Sequence, residues 1–236
     1  MKIEKVMATF AVLMFALSVA GFVYSAWTDE VYIEGTVHMG ELIVGVLNNS
    51  ITVVETTNGV EENLFDDPKP WVANATVTLH DFETSVHHKP PQTVAHKINV
   101  VVENAYPQYD VHINGTLKNA GTIPAKLKNC TFTGYDEKDN EELKLTGEWE
   151  YNATLECWVF DGEIWDNGED DEWDTDDDVV IINLRVLVFA PEDTQLEPCH
   201  EYPFTIEFDF KQEAEECHTY TFSAEFVFIQ WNKVNE

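Results

Sequence analysis

The sequence contains few basic residues: 13 lysines and arginines stand against 44 aspartates and glutamates in 236 residues, so the formal net charge is −31. A surface this negative repels nucleic acids and the headgroups of anionic lipids. We therefore expect no nucleic-acid partner. Polycations, metal ions and sugar hydroxyls remain compatible with this charge.

The motifs of common enzyme classes are also missing from the chain. It has no G-x-S-x-G nucleophile turn, no phosphate-binding P-loop, no G-x-G-x-x-G dinucleotide motif and no C-x-x-C-H haem motif. His200-Glu201 begins like the H-E-x-x-H of zinc peptidases, but Phe204 occupies the position of the second histidine and the segment is strand-like. We predict that the protein is not an enzyme.

The N-terminus indicates export. Lys2 and Lys5 precede an apolar run from Val6 to about Ala26. This order is typical of a secretory signal peptide, which signal peptidase would remove after Ser25 or Ala26. A run of about 21 apolar residues is also long enough to span a bilayer, so a retained anchor is the alternative. In both cases residues 27–236 are expected outside the cytoplasm, and the membrane is a partner only through the leader.

Cysteine is scarce, and an even number of cysteines in an exported chain favours disulfides. The C-x-x-C spacing of many zinc sites is missing. Two Cys-His dipeptides, at positions 199 and 217, leave a metal site as the alternative. We expect the disulfides Cys130–Cys157 and Cys199–Cys217, since each pair brackets about one strand-turn-strand unit.

Five Asn-x-Ser/Thr sequons add to the signs of export, because such sequons are acceptors for glycans on exposed loops and strands. Two of them fall on the polar parity of their predicted strands, where a glycan would stand in solvent. The predicted glycosylation sites are Asn48, Asn74, Asn114, Asn129 and Asn152.

Residues 161–178 form an acidic insert with 11 aspartates and glutamates in 18 positions. Charge runs of this kind are usually solvated loops, but oxygen-rich loops also suit calcium. The spacing of an EF-hand does not fit, and both interpretations stay open. No cofactor other than Ca²⁺ is expected, and its candidate ligands are Asp166, Asp170, Asp171, Asp174 and Asp176.

Alternation of apolar and polar residues predicts an all-β fold. In residues 109–128, Val111, Ile113 and Leu117 share one face of a strand that ends in a turn rich in Asn, Gly and Pro. Residues 204–211 and 220–228 alternate just as clearly, and outside the leader no helical period is evident. No internal repeat of 20–50 residues is apparent. We predict one jelly-roll-like β-sandwich over residues 27–236, preceded by a signal or anchor segment at 1–26.

Several segments resemble the TasA/camelysin family and its archaeal relatives, the bundling pilins. Residues 114–127, NGTLKNAGTIPAKL, are similar to the family's N-x-G-T-I/L-P-A/V strand-turn-strand. Gly35-Thr-Val37 and Gly40-Glu-Leu42 are similar to its first strand after the leader, and the C-terminal FVFIQWN resembles its closing strand. The resemblance implies an exported jelly-roll subunit that polymerises by donor-strand complementation into extracellular filaments of a biofilm matrix.

In that mode of assembly, a segment freed by leader cleavage adds a strand to the open sheet edge of the next subunit. The donor strand would be about residues 27–37, with Val31, Ile33 and Val37 as anchors on one face and Trp27 nearby. Such a head-to-tail contact does not close, so it generates a fibre of identical subunits. The alternative function is a membrane-anchored, non-polymerising surface domain that binds calcium or glycans.

Overall fold

The computed structural model describes residues 2–25, 40–57, 60–61, 73–86, 90–137, 141–166, 178–190 and 195–230. The chain divides into two compact units, Met1–Met39 and Gly40–Glu236. In the first unit a single α-helix, α1, covers Lys2–Ser25. Over the residues described, no helix meets both the length and the apolar character needed to cross a bilayer.

The second unit is all-β, which confirms the predicted fold class. Its strands follow the alternating segments of the sequence, with boundaries that differ by a few residues. The strands are β1 (Val44–Leu47), β2 (Thr52–Thr57), β3 (Val60–Glu61), β4 (Asn74–Ser85), β5 (Gln92–Ala105), β6 (Tyr109–Asn119), β7 (Ala125–Asp136), β8 (Glu141–Asn152), β9 (Cys157–Asp166), β10 (Val179–Val188), β11 (Glu201–Phe210) and β12 (His218–Gln230).

All strand pairs are antiparallel. The hydrogen-bonded order is β4-β5-β12-β7-β8-β9-β10-β11-β6-β2-β3, and the short strand β1 links the two ends because it pairs with both β5 and β6. β1 shares one edge of β5 with β12 and one edge of β6 with β2, so β4 and β2 are outer strands. The arrangement is a flattened barrel, or sandwich, with which a jelly roll is loosely compatible.

Aromatic side chains fill the space between the two halves of the sandwich. Phe208 and Phe222 stack with ring centroids 4.7 Å apart, although β11 and β12 are not neighbours in the sheet. Phe204 and Phe226 meet in the same way at 5.2 Å. All four rings are buried, and large buried rings contribute strongly to the stability of a core.

The strand order has an internal approximate two-fold relation. From β1, one direction leads through β5, β12, β7 and β8, and the other through β6, β11, β10 and β9. Tyr220 pairs with Val102, and Tyr202 pairs with Leu117 in the equivalent register. The sequences agree as well: E-x-C-H-x-Y-x-F occurs at 197–204 and 215–222, and I-N-x-x-V/L-E/K-N-A at 98–105 and 113–120.

The acidic insert starts later than predicted. Residues 161–166 are the second half of β9 and pair with β8 and β10. They alternate between the two faces of the sheet, and Ile164 is buried. The prediction of an insert from residue 161 was therefore wrong, because charged residues on the outer face of a strand have the same composition as a loop.

Neither predicted disulfide is present. Cys130 on β7 and Cys157 on β9 are buried thiols on strands separated by β8. Burial raises the pKa of both thiols above the ordinary value. Cys199 and Cys217 are exposed.

The pair Cys199–Cys217 was expected because the two residues bracket about one strand-turn-strand unit. In the structure Cys199 precedes β11 and Cys217 precedes β12, and these two strands are not neighbours in the sheet. The backbone N–H of Cys199 donates to the carbonyl of Asn119 at the end of β6, and that of Cys217 donates to Ala105 at the end of β5. Residues 106–108 connect Ala105 to the start of β6, whereas Asn119 is the last residue of this 11-residue strand, so the two cysteines lie near opposite ends of β6.

Candidate functional site

An open seam separates β2 from β4. β4 pairs with β5 along one edge, and no strand of the described residues pairs with its other edge. β2 pairs with β6 on one side, and on its other side β3 covers only Thr56 and Thr57. The two edges that line the seam therefore present backbone groups without a partner strand in the part of the chain that is described.

The apolar side chains along the seam are only half-buried. They pack against the main core from one side, whereas inward-facing residues of the neighbouring strand β6, such as Ile113, are fully buried. A further strand laid in the seam would remove this remaining apolar surface from water. The half-buried residues are Ile51, Val53, Ala75, Val77 and Leu79.

Glu55 bridges the seam at one end. Its carboxylate accepts a hydrogen bond from the backbone N–H of Ala75 on β4, and one of 2.9 Å from the hydroxyl of Tyr109. The Ala75 amide thus points away from β5 and into the seam. Because the backbone direction alternates along a strand, Val77 and Leu79 direct their N–H and C=O groups the same way.

The predicted donor strand, with Trp27, Val31, Ile33 and Val37, lies outside the described residues. The second unit begins at Gly40, where the N–H of Glu41 donates to the Thr122 hydroxyl at 2.8 Å and the N–H of Thr122 donates to the Glu41 carbonyl at 2.9 Å. This junction follows the end of β6, whereas Glu55 lies opposite Val111 near its start. The chain therefore enters the sandwich at the end remote from the Glu55 bridge.

The predicted calcium ligands cannot be assembled from the described residues. Asp166 ends β9, and Asp170, Asp171, Asp174 and Asp176 lie outside them. Within the described part of the chain, no group of three or more His, Cys, Asp or Glu side chains is placed to hold a metal ion.

A band of charged side chains crosses the outer face of β11 and β6. Strand register sets Asp110 opposite Asp209 and His112 opposite Glu207. Burial, and after it the Asp209 charge, raises the pKa of the Asp110 carboxyl. Glu207, with Oε1 3.6 Å from the imidazole Nδ1, raises the pKa of His112, and His112 in turn lowers the pKa of Glu207.

The band continues onto β9 and β10 as a polar groove. Arg185 lies 3.1 Å from Asp161, and the Asn183 amide donates to Asp209 at 3.0 Å. The groove is also lined by Glu163, so carboxylates outnumber cations. This face is solvated and repels anions.

A buried cluster joins the start of β12 to the end of β7. His218 Nδ1 lies 2.7 Å from Asp136 Oδ2, and Nε2 lies 2.5 Å from Glu215 Oε2. The side chains of His218 and Asp136 are each 1% exposed, so no substrate can reach them. This cluster was not predicted from the sequence, although the repeated Cys-His dipeptide lies at its position.

The five sequons differ in accessibility. Asn114 and Asn152 are partly buried, and their side-chain oxygens accept hydrogen bonds. The hydroxyl of Thr205 donates to the Asn114 oxygen at 2.9 Å. The backbone N–H groups of Thr154 and Leu155 donate to the Asn152 oxygen, both at 3.0 Å. The remaining three sequon asparagines are exposed: Asn48, Asn74 and Asn129.

In comparisons with known proteins, no family model, no curated protein and no solved structure matches the chain. The resemblance to the TasA/camelysin family therefore stays a prediction from sequence motifs.

Proposed function

We propose that the protein is an exported structural subunit that polymerises head to tail into extracellular filaments by donor-strand complementation. The observation that carries this proposal is the open seam between β2 and β4. Within the described residues only the short strand β3 pairs with either facing edge, and half-buried apolar side chains line the seam. An edge of this kind is a template for another strand.

The proposed donor matches the chemistry of the seam. Val31, Ile33 and Val37 are spaced for one face of an extended strand. Val77 and Leu79 form the corresponding apolar row on β4. Full burial of an aliphatic side chain contributes about 1.5–3 kcal/mol, so three anchors and the surface they cover would contribute several kcal/mol beyond the backbone hydrogen bonds.

The place where the donor segment joins the domain favours a chain of subunits. Gly40 lies beside the turn after β6, and the Glu55 bridge lies at the other end of that strand. A donor that extends away from its own domain at Gly40 reaches a second subunit stacked on that end. Because every subunit has both a donor and a seam, the contact repeats without closing.

The charge of −31 opposes this assembly at low ionic strength. Salt screens exposed charges over about 10 Å at 0.1 M, and Ca²⁺ bound by acidic side chains of the insert would neutralise part of the rest. We therefore include divalent cations among the factors that promote assembly.

Replacement of Leu79 by Asn tests the proposal. A polar group in the seam would be desolvated by the donor strand, so Leu79→Asn should abolish filaments seen by negative-stain microscopy. Thr78→Asn, one residue away on the exposed face, is the matched control and should assemble normally. Leu79→Asn filaments as abundant as those of the wild type would overturn the role of the seam.

The N-terminus of the mature protein provides a second test. Cleavage near Ala26 would free the donor segment, and N-terminal sequencing of cell-surface material should find it there. A retained leader on a monomeric protein would support the membrane-anchored alternative instead.

A further inference from the structure

We propose that the polar groove on the outer face of β8–β11 binds a neutral saccharide. The groove has a volume of about 500 Å³, within the range of ligand-binding clefts. It is built within one sheet of a single chain, so this inference goes beyond the proposed polymer and does not rest on it.

Strand register aligns polar side chains in two neighbouring rows across the groove. In the row between them, Gly147, Gly162 and Leu184 lie side by side and also line the groove. Neighbouring strands lie about 4.8 Å apart, so each polar row extends about 14 Å from β8 to β11, which is long enough for a short oligosaccharide. One row consists of Thr146, Glu163, Asn183 and Asp209, and the other of Glu148, Asp161, Arg185 and Glu207.

The rows combine hydrogen-bond donors with acceptors. The Asn183 amide donates to Asp209 at 3.0 Å, and Arg185 Nε lies 3.1 Å from Asp161 Oδ1. A guanidinium can donate, and a carboxylate can accept, more hydrogen bonds than these contacts use. A hydroxyl group both donates and accepts, so the hydroxyls of a sugar can bind to neighbouring donors and acceptors in this arrangement.

An indole ring borders the groove on its β8 side. Trp165 follows Glu163 by two residues on β9 and therefore lies on the same face of the sheet. Its Nε1 donates to the hydroxyl of Thr146, which lines the groove, at 3.2 Å, and the side chain is only half-buried. An aromatic ring whose polar atom has a partner presents apolar surface to a ligand. The C–H face of a sugar ring can pack on this surface while its hydroxyls reach the polar rows.

The charges of the groove favour a ligand without charge. Among the described residues that line it, four carboxylates surround the Arg185 guanidinium, so an anion is repelled. Arg185 lies between Asp161 and Glu207 in its row and opposes a cationic chain laid along the groove. A metal site is not supported either, because the described part of the chain places no three His, Cys, Asp or Glu side chains around one point.

Native electrophoresis through gels that contain a polysaccharide tests the inference. The net charge of −31 drives the protein to the anode, so binding appears as a retardation that increases with polysaccharide concentration. The buffer has low ionic strength, at which the subunits repel one another. The neutral probes are mixed-linkage β-glucan, galactomannan and dextran, and the anionic probe is alginate. We expect retardation by at least one neutral polysaccharide and none by alginate.

Two substitutions locate the binding site. Asn183→Ala removes a donor from the middle of the groove, and should weaken binding roughly three- to tenfold, as expected for the loss of one hydrogen bond. Trp165→Ala removes the apolar surface and should weaken binding as well. Thr133→Ala, at an exposed position of β7 outside the groove, is the matched control and should bind like the wild type. Circular dichroism checks that each variant folds, and Asn183→Ala suffices if Trp165→Ala does not.

Three results would overturn the inference. The first is migration that no neutral polysaccharide retards. The second is retardation that a folded Asn183→Ala variant shows as strongly as the wild type, which would place the binding site elsewhere. The third is retardation by polylysine alone that Asn183→Ala weakens, which would assign the groove to a cationic peptide instead of a saccharide.

Discussion

The Glu55 carboxylate accepts a hydrogen bond from the backbone N–H of Ala75, and so connects β2 to β4 where the described strands do not pair. The same carboxylate accepts the hydroxyl proton of Tyr109, which is fully buried. At this end of the seam the Glu55 carboxylate accepts a backbone hydrogen bond from β4, as the carbonyl groups of an added strand would do farther along. The Glu55 bridge therefore marks one end of the seam.

Replacement of Glu55 by Ala should destabilise the folded domain. The substitution leaves two donors without this acceptor, and a lost hydrogen bond of this kind costs about 1 kcal/mol. We expect a decrease of about 2 kcal/mol in the free energy of unfolding by urea, and a smaller decrease for Glu55→Gln, which retains an acceptor. A double-mutant cycle with Tyr109→Phe should show coupling, and strict additivity of the two substitutions would contradict the bridge.

Gly162 should not tolerate a side chain. A Cβ at this position would lie 2.5 Å from Cε1 of Phe160 and 2.6 Å from the carbonyl oxygen of Thr146. Overpacking of this kind costs about 1–3 kcal/mol, so Gly162→Ala should lower the thermal midpoint by several degrees. Gly134→Ala is the matched control, because its nearest neighbour, an atom of the Phe222 ring, is 3.1 Å away. Equal midpoints for the two variants would contradict the packing of Phe160 over the glycine.

The strands could be predicted from the sequence because alternation is a local property. Strand β6 shows this alternation clearly, because Val111 and Ile113 face inward and His112 faces outward. The seam could not be predicted in this way, because the edge that stays open depends on which distant strands pair with β5 and β6. The disulfide pairs were predicted wrongly for the same reason. Cysteines that are close in the sequence were expected to be close in the structure, whereas strand pairing decides which residues are neighbours.

The buried cluster around His218 escaped prediction for a related reason. Its partner Asp136 is 82 residues away along the chain, and only the pairing of β7 with β12 brings them together. His200 has the same local sequence context but is exposed. Local motifs therefore could not separate a buried histidine from a surface one.

Because His218 is buried and His200 is exposed, their substitutions should affect stability differently. His218→Gln removes a buried hydrogen-bond partner of Asp136, and a buried polar group that loses its partner costs about 1–3 kcal/mol. His200→Gln, at the equivalent exposed position, should change the stability by less than about 0.5 kcal/mol. Chemical denaturation of the two variants measures both effects, and similar stabilities would contradict the structural role of the cluster.

The His112–Glu207 pair should make stability depend on pH. Glu207 raises the pKa of His112 above its ordinary 6.5, so the folded protein binds this proton more tightly than the unfolded chain. The resulting stabilisation is fully present below about pH 6.5 and is lost as the pH rises through the folded-state pKa. Because the pair is partly exposed, the effect should be about 0.5 kcal/mol. Urea unfolding between pH 5.5 and 8 measures it, and His112→Gln should flatten the curve.

Asp110→Asn tests whether a neighbouring carboxylate contributes to the pH dependence of stability. Burial and the charge of Asp209 raise the pKa of Asp110, so its ionised form is disfavoured in the folded state. Removal of the charge should stabilise the protein at pH 7 by about 0.5 kcal/mol, as expected for like charges on opposite strands. The slope above pH 6 should persist, and its disappearance would assign that slope to Asp110 rather than to His112.

Filament assembly should depend on ionic strength and on divalent cations. Subunits with a formal charge of −31 repel one another, and the repulsion weakens as salt shortens the screening length from about 30 Å at 0.01 M to about 10 Å at 0.1 M. Light scattering of the mature protein should therefore show faster assembly at 0.1 M salt than at 0.01 M. At low salt, millimolar Ca²⁺ should restore much of the rate, and a chelator should reverse the effect.

A variant with Asn at positions 170, 171, 174 and 176 distinguishes general charge screening from specific Ca²⁺ binding by Asp170, Asp171, Asp174 and Asp176. It should assemble faster at low salt and lose the specific response to Ca²⁺. Assembly that is indifferent to both salt and chelator would contradict the electrostatic control of polymerisation.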